Sequence, residues 1–107
     1  MISSDVIRGY NDIMILYLLL DEKSYGYEIS KKITALTEGK YIIKETTLYS
    51  AFTRLERNGY ISSFYGSDLA DRRTYYKITN EGVLYYKEKC AEWALTKEVV
   101  ERFIKEV

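Results

Sequence analysis

Apolar residues recur with helical spacing in the first third of this chain. The first such segment is Asp5–Leu20, in which Asp5 is predicted to cap a helix whose second half is apolar on nearly every side. A second helix is predicted over Tyr25–Thr37, with Ser24 as its cap. Its inward positions are Tyr25, Ile29, Ile33 and Leu36. Because a helix as apolar as the first is buried on more than one side, one of its sides is a candidate contact with a second subunit.

The middle of the chain passes from a helical pattern to a strand pattern. Glu45–Asn58 has apolar residues at i, i+3, i+4 and i+7, and Gly59 follows as a helix stop. This apolar stripe consists of Leu48, Ala51, Phe52 and Leu55. Ile61–Gly66 and Arg72–Ile78 are rich in β-branched and aromatic residues and predict two strands around a polar tip at Ser67–Asp71. The predicted fold class is therefore mainly α with a small β-hairpin, in the order of a winged helix-turn-helix.

The side of the third helix opposite to the apolar stripe carries hydroxyl and basic groups. Its members are Thr46, Thr47, Tyr49, Ser50, Thr53, Arg54 and Arg57, and Lys44 stands directly before the helix. Hydroxyls at a helix start bond phosphates or base edges, and the helix N-terminus favours phosphate. An ordinary packed helix with a solvated polar face is the alternative. The hairpin, the tip arginines Arg72 and Arg73 and the upstream helices favour insertion into a DNA groove.

The last predicted helix starts at Thr79 or Asn80 and runs to about Lys105. One apolar stripe on it is Tyr86, Cys90, Trp93, Lys97, Val100, Ile104 and Val107, and a second is Leu95, Val99 and Phe103. Because a winged domain of three helices cannot cover both stripes, we expect a homodimer built on this helix. A helix folded back on its own domain is the alternative. The chain is accordingly divided into a DNA-binding domain at 1–82 and a dimerisation helix at 83–107.

Composition sets limits on function. The net charge is zero, although residues 40–78 hold seven Lys/Arg against four Asp/Glu, so the excess positive charge lies on the proposed DNA-binding half. The single cysteine, Cys90, indicates a reducing compartment and a small buried side chain, with a redox-sensing thiol as the alternative. No signal peptide or membrane span is predicted, so the expected location is cytoplasmic. Without histidine or a glycine-rich phosphate loop, the sequence argues against an enzyme, a metal site and a cofactor.

Three segments resemble the PadR family of bacterial transcriptional regulators. They are YGYEISKKI at Tyr25–Ile33, ETTLYSAFTRLERNGYI at Glu45–Ile61 and RRTYYKITNEG at Arg72–Gly82. The single C-terminal helix is similar to the short subgroup of that family. The resemblance implies a homodimeric winged-helix repressor that binds a double-stranded DNA operator. From the helix face and the resemblance together, the predicted DNA-binding residues are Lys44, Thr46, Thr47, Tyr49, Ser50, Arg54, Arg72 and Arg73.

Trp93, the single tryptophan, is a candidate ligand contact. Across a twofold axis it would approach its counterpart, and two facing indoles form a slot for a flat aromatic ligand; the alternative is that Trp93 fills the dimer core. Similarity to multidrug-sensing regulators of the short subgroup, which bind planar drugs between such a pair, supports the slot. The residues that this likeness implies are Tyr10, Ile13, Tyr86, Lys89, Cys90, Trp93 and Lys97. Those regulators have an acid where this chain has Lys97, so an anionic aromatic ligand is expected here rather than a cationic one.

Two other functions stay open at this point. A winged-helix module that binds a protein partner without sensing a ligand would fit the zero net charge. A constitutive DNA-binding protein with Trp93 as a core residue is the third. A DNA affinity that falls steeply with salt would argue for a DNA-binding regulator and against the protein-binding module.

Overall fold

Five α-helices and a three-stranded sheet form the structure, a computed structural model that describes residues 2–66 and 71–107. The helices are α1 (Ser4–Ile7), α2 (Asn11–Leu19), α3 (Gly26–Leu36), α4 (Glu45–Arg57) and α5 (Asn80–Glu101), with a turn of 3-10 helix at Arg8–Tyr10. The strands are β1 (Ser24–Tyr25), β2 (Ile61–Tyr65) and β3 (Thr74–Ile78). The predicted fold class, mainly α with a small sheet, is confirmed.

The first helix differs from its prediction at both ends. It is two helices, α1 and α2, joined by the 3-10 turn that contains Gly9. The cap is Ser3 and not Asp5, because the Val6 amide donates to Ser3 Oγ at 3.4 Å. The break lets α2, whose Ile15 and Leu16 are fully buried, cross the core while α1 stays at the surface.

The sheet has the order β1-β3-β2 and is antiparallel throughout. Ser24, predicted as a helix cap, lies in β1 opposite Tyr76 of β3, and its hydroxyl donates to Glu28. The predicted strand Arg72–Ile78 begins two residues later than expected, so Arg72 and Arg73 precede β3. Of the predicted tip Ser67–Asp71, residues 67–70 lie outside the described part of the chain.

The apolar core lies between α2, α3, α4 and the sheet. The predicted inward stripe of α4 is confirmed, since Leu48, Ala51, Phe52 and Leu55 are all buried. Leu36, predicted to face inward on α3, is 63% exposed because α3 ends there and the chain turns away through Gly39 at a φ of +76°. The predicted helix stop is confirmed: Gly59 has a φ of +79°, and the Tyr60 amide donates back to the Leu55 carbonyl at 2.9 Å.

The last helix extends well beyond the core. Its predicted cap Thr79 is confirmed, because the Gly82 amide donates to Thr79 Oγ1 at 3.0 Å. The first turns of α5 pack on α2, whereas almost every residue from Ala91 onward is exposed. The helix ends at Glu101, four residues before the predicted end. It is continuous across the predicted domain boundary at residue 82, which stays a prediction. No helix in the described ranges is long and apolar enough to cross a membrane.

Candidate nucleic-acid interface and apolar groove

The face of α4 that points away from the core carries hydroxyl and basic side chains. We define the recognition face as Lys44, Thr46, Thr47, Tyr49 and Ser50, of which Thr47 is half-buried and the others are exposed. Among the described residues these side chains have no hydrogen-bond partner, whereas the neighbouring Thr53 hydroxyl donates to the Tyr49 carbonyl at 3.1 Å. The recognition face is therefore a row of unused donors and acceptors at the start of a helix, where the helix dipole also favours an anion.

Tyr49 is positioned by a glycine that the sequence analysis did not single out. The Tyr49 ring packs edge-on against Phe52, with centroids 5.5 Å apart, and is 45% exposed. Its phenol end lies over Gly26 at the start of α3, where an added Cβ would overlap the Tyr49 hydroxyl and lie 2.8 Å from Cζ. Gly26, in the segment YGYEIS, thus leaves room for the Tyr49 ring, and this contact joins α4 to α3. A glycine at the start of a predicted helix was the sequence feature that could have indicated this close contact.

Arg54 is bound within the protein. Its two terminal guanidinium nitrogens donate to the Asp12 carboxylate of α2 at 2.8 and 2.7 Å. Burial opposes ionisation of Asp12, but the hydrogen bonds from Arg54 and from Tyr85 outweigh it, so the pKa of Asp12 lies below its ordinary value. Because this geometry gives Arg54 a structural contact, we leave it out of the proposed DNA-binding set.

The wing is the hairpin of β2 and β3, and the two arginines predicted for its tip lie in different surroundings. Arg73 donates to the Asp71 carboxylate through Nε at 2.9 Å and stacks its guanidinium over the Tyr25 ring at 4.4 Å. The hydrogen bonds from Arg73 hold the pKa of Asp71 well below its usual range. Arg72 is exposed to solvent. Arg72 is therefore the wing cation best placed to meet a phosphate, and Arg73 links the wing to β1.

A groove of about 580 Å³ opens between the N-terminal helices and the second half of α5. Four of the predicted ligand residues line it: Tyr10, Ile13, Trp93 and Lys97. The Tyr10 and Trp93 rings meet edge to face with centroids 4.9 Å apart, and Trp93 is 42% exposed. We call this cavity the Trp93 groove. It offers an aromatic wall and a cation to a molecule of moderate size.

Three predicted ligand residues lie outside the Trp93 groove in the single chain. Tyr86 lines a smaller apolar cavity of about 140 Å³ against Ile13, Lys89 Nζ lies 3.3 Å from the Glu92 carboxylate, and Cys90 is half-buried. The groove also has lining residues that the sequence analysis missed: Ile2, Val6, Ile7, Met14, Thr96, Val100 and Glu101. Of these, Val100 belongs to the predicted apolar stripe of Trp93, and Thr96 and Glu101 follow Trp93 at helical spacing.

Comparison with known proteins agrees with this architecture. Residues 15–88 match the model of the transcriptional regulator PadR-like family. A transcriptional regulator from Clostridium thermocellum has a solved structure with 64% identity and a TM-score of 0.91, covering 95% of this chain and 100% of that one. A PadR family transcription regulator from Clostridium difficile R20291 has 36% identity and a TM-score of 0.74, covering 90% of this chain and 99% of that one.

The match extends to sequence relatives over nearly the full length. An uncharacterised protein from Lysinibacillus sphaericus is 45% identical over 106 residues, covering 97% of this chain and 96% of that protein. The family resemblance seen in the three segments is thereby confirmed, while the likeness to multidrug-sensing regulators stays a prediction. The chain belongs to the PadR-like family of transcriptional regulators and is a DNA-binding regulator.

Proposed function

We propose that this chain is a homodimeric repressor that places α4 of each subunit in a major groove of its operator. The observation that carries the proposal is the recognition face, a largely exposed row of hydroxyls that have no hydrogen-bond partner among the described residues and that follow Lys44 at the N-terminus of a helix. Exposed Arg72 supplies a second phosphate contact from the wing side. The core side of α4 is fully used in packing, so the recognition face is the surface left for DNA.

The second half of α5 supports the dimer. Leu95 and Val99 on α5 are exposed in the single chain, as are Phe103 and Ile104, which follow the last residue of the helix. Apolar side chains repeated along one long helix are what a two-helix interface requires. A twofold axis there would set the spacing of two α4 helices, which must be one DNA turn apart, about 34 Å, to read successive major grooves.

The proposal is tested by a gel shift with DNA from upstream of the protein's own gene, repeated at several salt concentrations. We expect a shift that unrelated competitor DNA does not abolish and that weakens steeply with salt, because phosphate contacts release counterions. An unshifted fragment at low salt would contradict self-regulation, and a genomic fragment selection would then decide whether any operator exists. Retention of a protein partner without DNA would favour the interaction-module alternative, which the zero net charge supports.

Tyr49→Ala and Arg72→Ala are each expected to weaken operator binding about tenfold, the loss of one base-edge or phosphate contact. Both side chains are exposed, and neither lies on α5 or lines the Trp93 groove, so the dimer should persist. Thr53→Ala is the matched control, since that hydroxyl already bonds its own helix. Fluorescence anisotropy with labelled operator measures the affinity, and sedimentation measures the dimer. Dissociation of the dimer by either substitution would remove those residues from the DNA face.

We further propose that a planar aromatic ligand in the Trp93 groove releases the repressor. The support is the aromatic pair Tyr10 and Trp93 together with Lys97, which is not among the described ion pairs of α5. Glu101 also lines the groove, but Lys97 is one turn closer to the indole. A carboxylate on the ligand would pair with Lys97, so an anionic aromatic is the expected class.

Quenching of Trp93 fluorescence tests the charge preference of the groove. We expect 2-naphthoate to bind at least about tenfold more tightly than 2-naphthylmethylammonium, and Lys97→Glu to reverse the order. Lys87→Glu makes the same charge change on an exposed part of α5 outside the groove and should leave the order unchanged. Equal quenching by the two ions would contradict the role of Lys97, and the absence of quenching by either would favour a constitutive DNA-binding protein.

A further inference from the structure

Two polar residues at the start of α2 are buried and bonded to other elements. Asp12, 7% exposed, accepts two hydrogen bonds from Arg54 at 2.8 and 2.7 Å and one from the Tyr85 hydroxyl at 2.8 Å. Asn11, 4% exposed, accepts from the Tyr41 hydroxyl at 2.7 Å. We call these five residues the α2 polar network. It joins α2 to α4, to the segment before α4 and to α5.

The network holds the recognition helix near both of its ends. Tyr41 lies four residues before Glu45, the first residue of α4, and Arg54 lies in the last turn of α4. Between these points α4 meets the core through apolar side chains, whose attraction is not directional. Hydrogen bonds depend on both distance and angle, so the network constrains the orientation of α4 more closely than apolar packing does, as does the Ser63 amide of β2 that donates to Glu56 of α4 at 3.0 Å.

The same network adjoins the Trp93 groove. Tyr10 and Ile13, which flank Asn11 and Asp12 in the sequence, both line the groove. Tyr85 is on α5, eight residues before Trp93, and its ring stacks on Tyr60 with centroids 4.1 Å apart. A movement of α2 relative to α5 at the groove would therefore change the distance between the Tyr85 hydroxyl and the Asp12 carboxylate.

We propose that Asp12 is a positioning residue for operator binding. Its carboxylate, shared between Arg54 of α4 and Tyr85 of α5, sets the orientation of the recognition helix and couples that orientation to the Trp93 groove. The inference rests on the proposed function, because orientation matters only where two α4 helices must match two half-sites. Coupling of this kind is reciprocal, so the operator and a ligand in the Trp93 groove should change each other's affinity by the same factor.

A purely stabilising role does not account for this arrangement. Replacing a buried ion pair by apolar residues of similar volume is often neutral or stabilising, and in this pair only Asp12 is buried, since the Arg54 side chain is 47% exposed. The Asp12 carboxylate instead satisfies donors from two helices that carry the two proposed functions, DNA binding and dimerisation. The Tyr85 hydroxyl donates to Asp12 at 2.8 Å, and burial, followed by this hydrogen bond, raises the pKa of Tyr85 to about 12.

The test uses Asp12→Asn and Tyr85→Phe in the full chain, with operator affinity and its salt dependence as readouts. Positioning predicts that each variant loses about tenfold in affinity with an unchanged salt slope, because neither side chain is placed on the DNA. If Arg54 were instead a DNA contact, Asp12→Asn would free its guanidinium and the affinity would hold or rise. The sign of the change therefore separates positioning from direct contact.

Matched controls and a second readout keep the test decisive. Asp5→Asn breaks the exposed Arg8–Asp5 pair, and Tyr17→Phe removes an exposed hydroxyl from α2. The operator affinity of both variants should therefore stay within twofold of that of the parent protein. Hydrogen exchange should show the amides of α4 opening faster in Tyr85→Phe while those of α3 do not, a selectivity that general destabilisation would not produce.

The outcomes distinguish this inference from the proposed function. If the parent protein binds operator, and the operator affinities of Tyr85→Phe and of any folded Asp12→Asn lie within twofold of the parent value, the positioning role alone is overturned. If the parent protein binds no DNA, the proposed function is overturned. In that case, amide hydrogen exchange that is unchanged or uniformly faster in Tyr85→Phe overturns the positioning role as well. If Asp12→Asn does not fold, Tyr85→Phe decides by itself.

Discussion

Gly82→Ala is expected to lower the free energy of unfolding by about 3 kcal/mol, at the upper end of overpacking costs. A Cβ at this position would overlap the carbonyl oxygen of Tyr60 and lie 2.7 Å from Ile78 Cγ1. The obstructing oxygen belongs to the backbone, which cannot turn aside as a long side chain can. The higher helix propensity of alanine, worth up to about 1 kcal/mol, offsets only part of this cost. Equilibrium unfolding in urea measures the difference.

Gly9→Ala is the matched control for this prediction. Nothing lies within 4 Å of a Cβ added at Gly9, so the expected change is within about 0.5 kcal/mol. The contrast matters because Gly82 lies where α5 starts from the wing, and its amide also donates to the capping Thr79. A Gly82→Ala protein as stable as the Gly9→Ala protein would show that α5 does not approach Tyr60 this closely.

Val99→Asp is expected to weaken the homodimer at least about 100-fold, because each subunit would bury an unpaired carboxylate in the interface. Val99 lies on the same face of α5 as Leu95, and both are exposed in the single chain, as is Phe103 just beyond the end of the helix. Operator affinity should fall in parallel, since a monomer presents α4 to one half-site only. Sedimentation equilibrium measures the dimer, and circular dichroism shows whether the monomer stays folded.

Ala94→Asp places the same charge on the other side of α5. Ala94 shares its face with Lys87 and Glu98, which are exposed and polar, so the dimer should persist in this variant. Equal dissociation by the two substitutions would indicate a general effect of charge on the helix. A dimer unaffected by Val99→Asp would mean that the interface lies elsewhere and that α5 carries its apolar residues for another purpose.

Much of the fold was accessible from sequence because local patterns dictate it. The stripe from Leu48 to Leu55, the left-handed Gly59 and the Thr79 cap each depend on residues within one or two helical turns. Strand β1 was missed because two residues carry no periodicity, and Ser24 resembles a helix cap when its partner Tyr76 is not known. The break at Arg8–Tyr10 was missed because the helical spacing of Ile7, Tyr10 and Met14 continues across it.

The candidate sites divide in the same way. The recognition face follows from helical spacing alone, whereas the contact between Asp12 and Arg54 joins residues 42 apart in sequence and has no local signal. Arg54 was therefore predicted as a DNA contact although its guanidinium lies on Asp12. For the Trp93 groove, the α5 wall was predictable, but the part played by Val6 and Ile7 depends on how the N-terminal helices fold across α5.

Hydroxyl-radical footprinting of the operator by the parent protein tests the central claim most directly. Two copies of α4 in successive major grooves should protect two segments whose centres are about 10 base pairs apart. Protection of both segments should disappear together in Val99→Asp. A single protected segment, or uniform protection along the fragment, would contradict the proposal that this chain reads its operator as a homodimer through the recognition face.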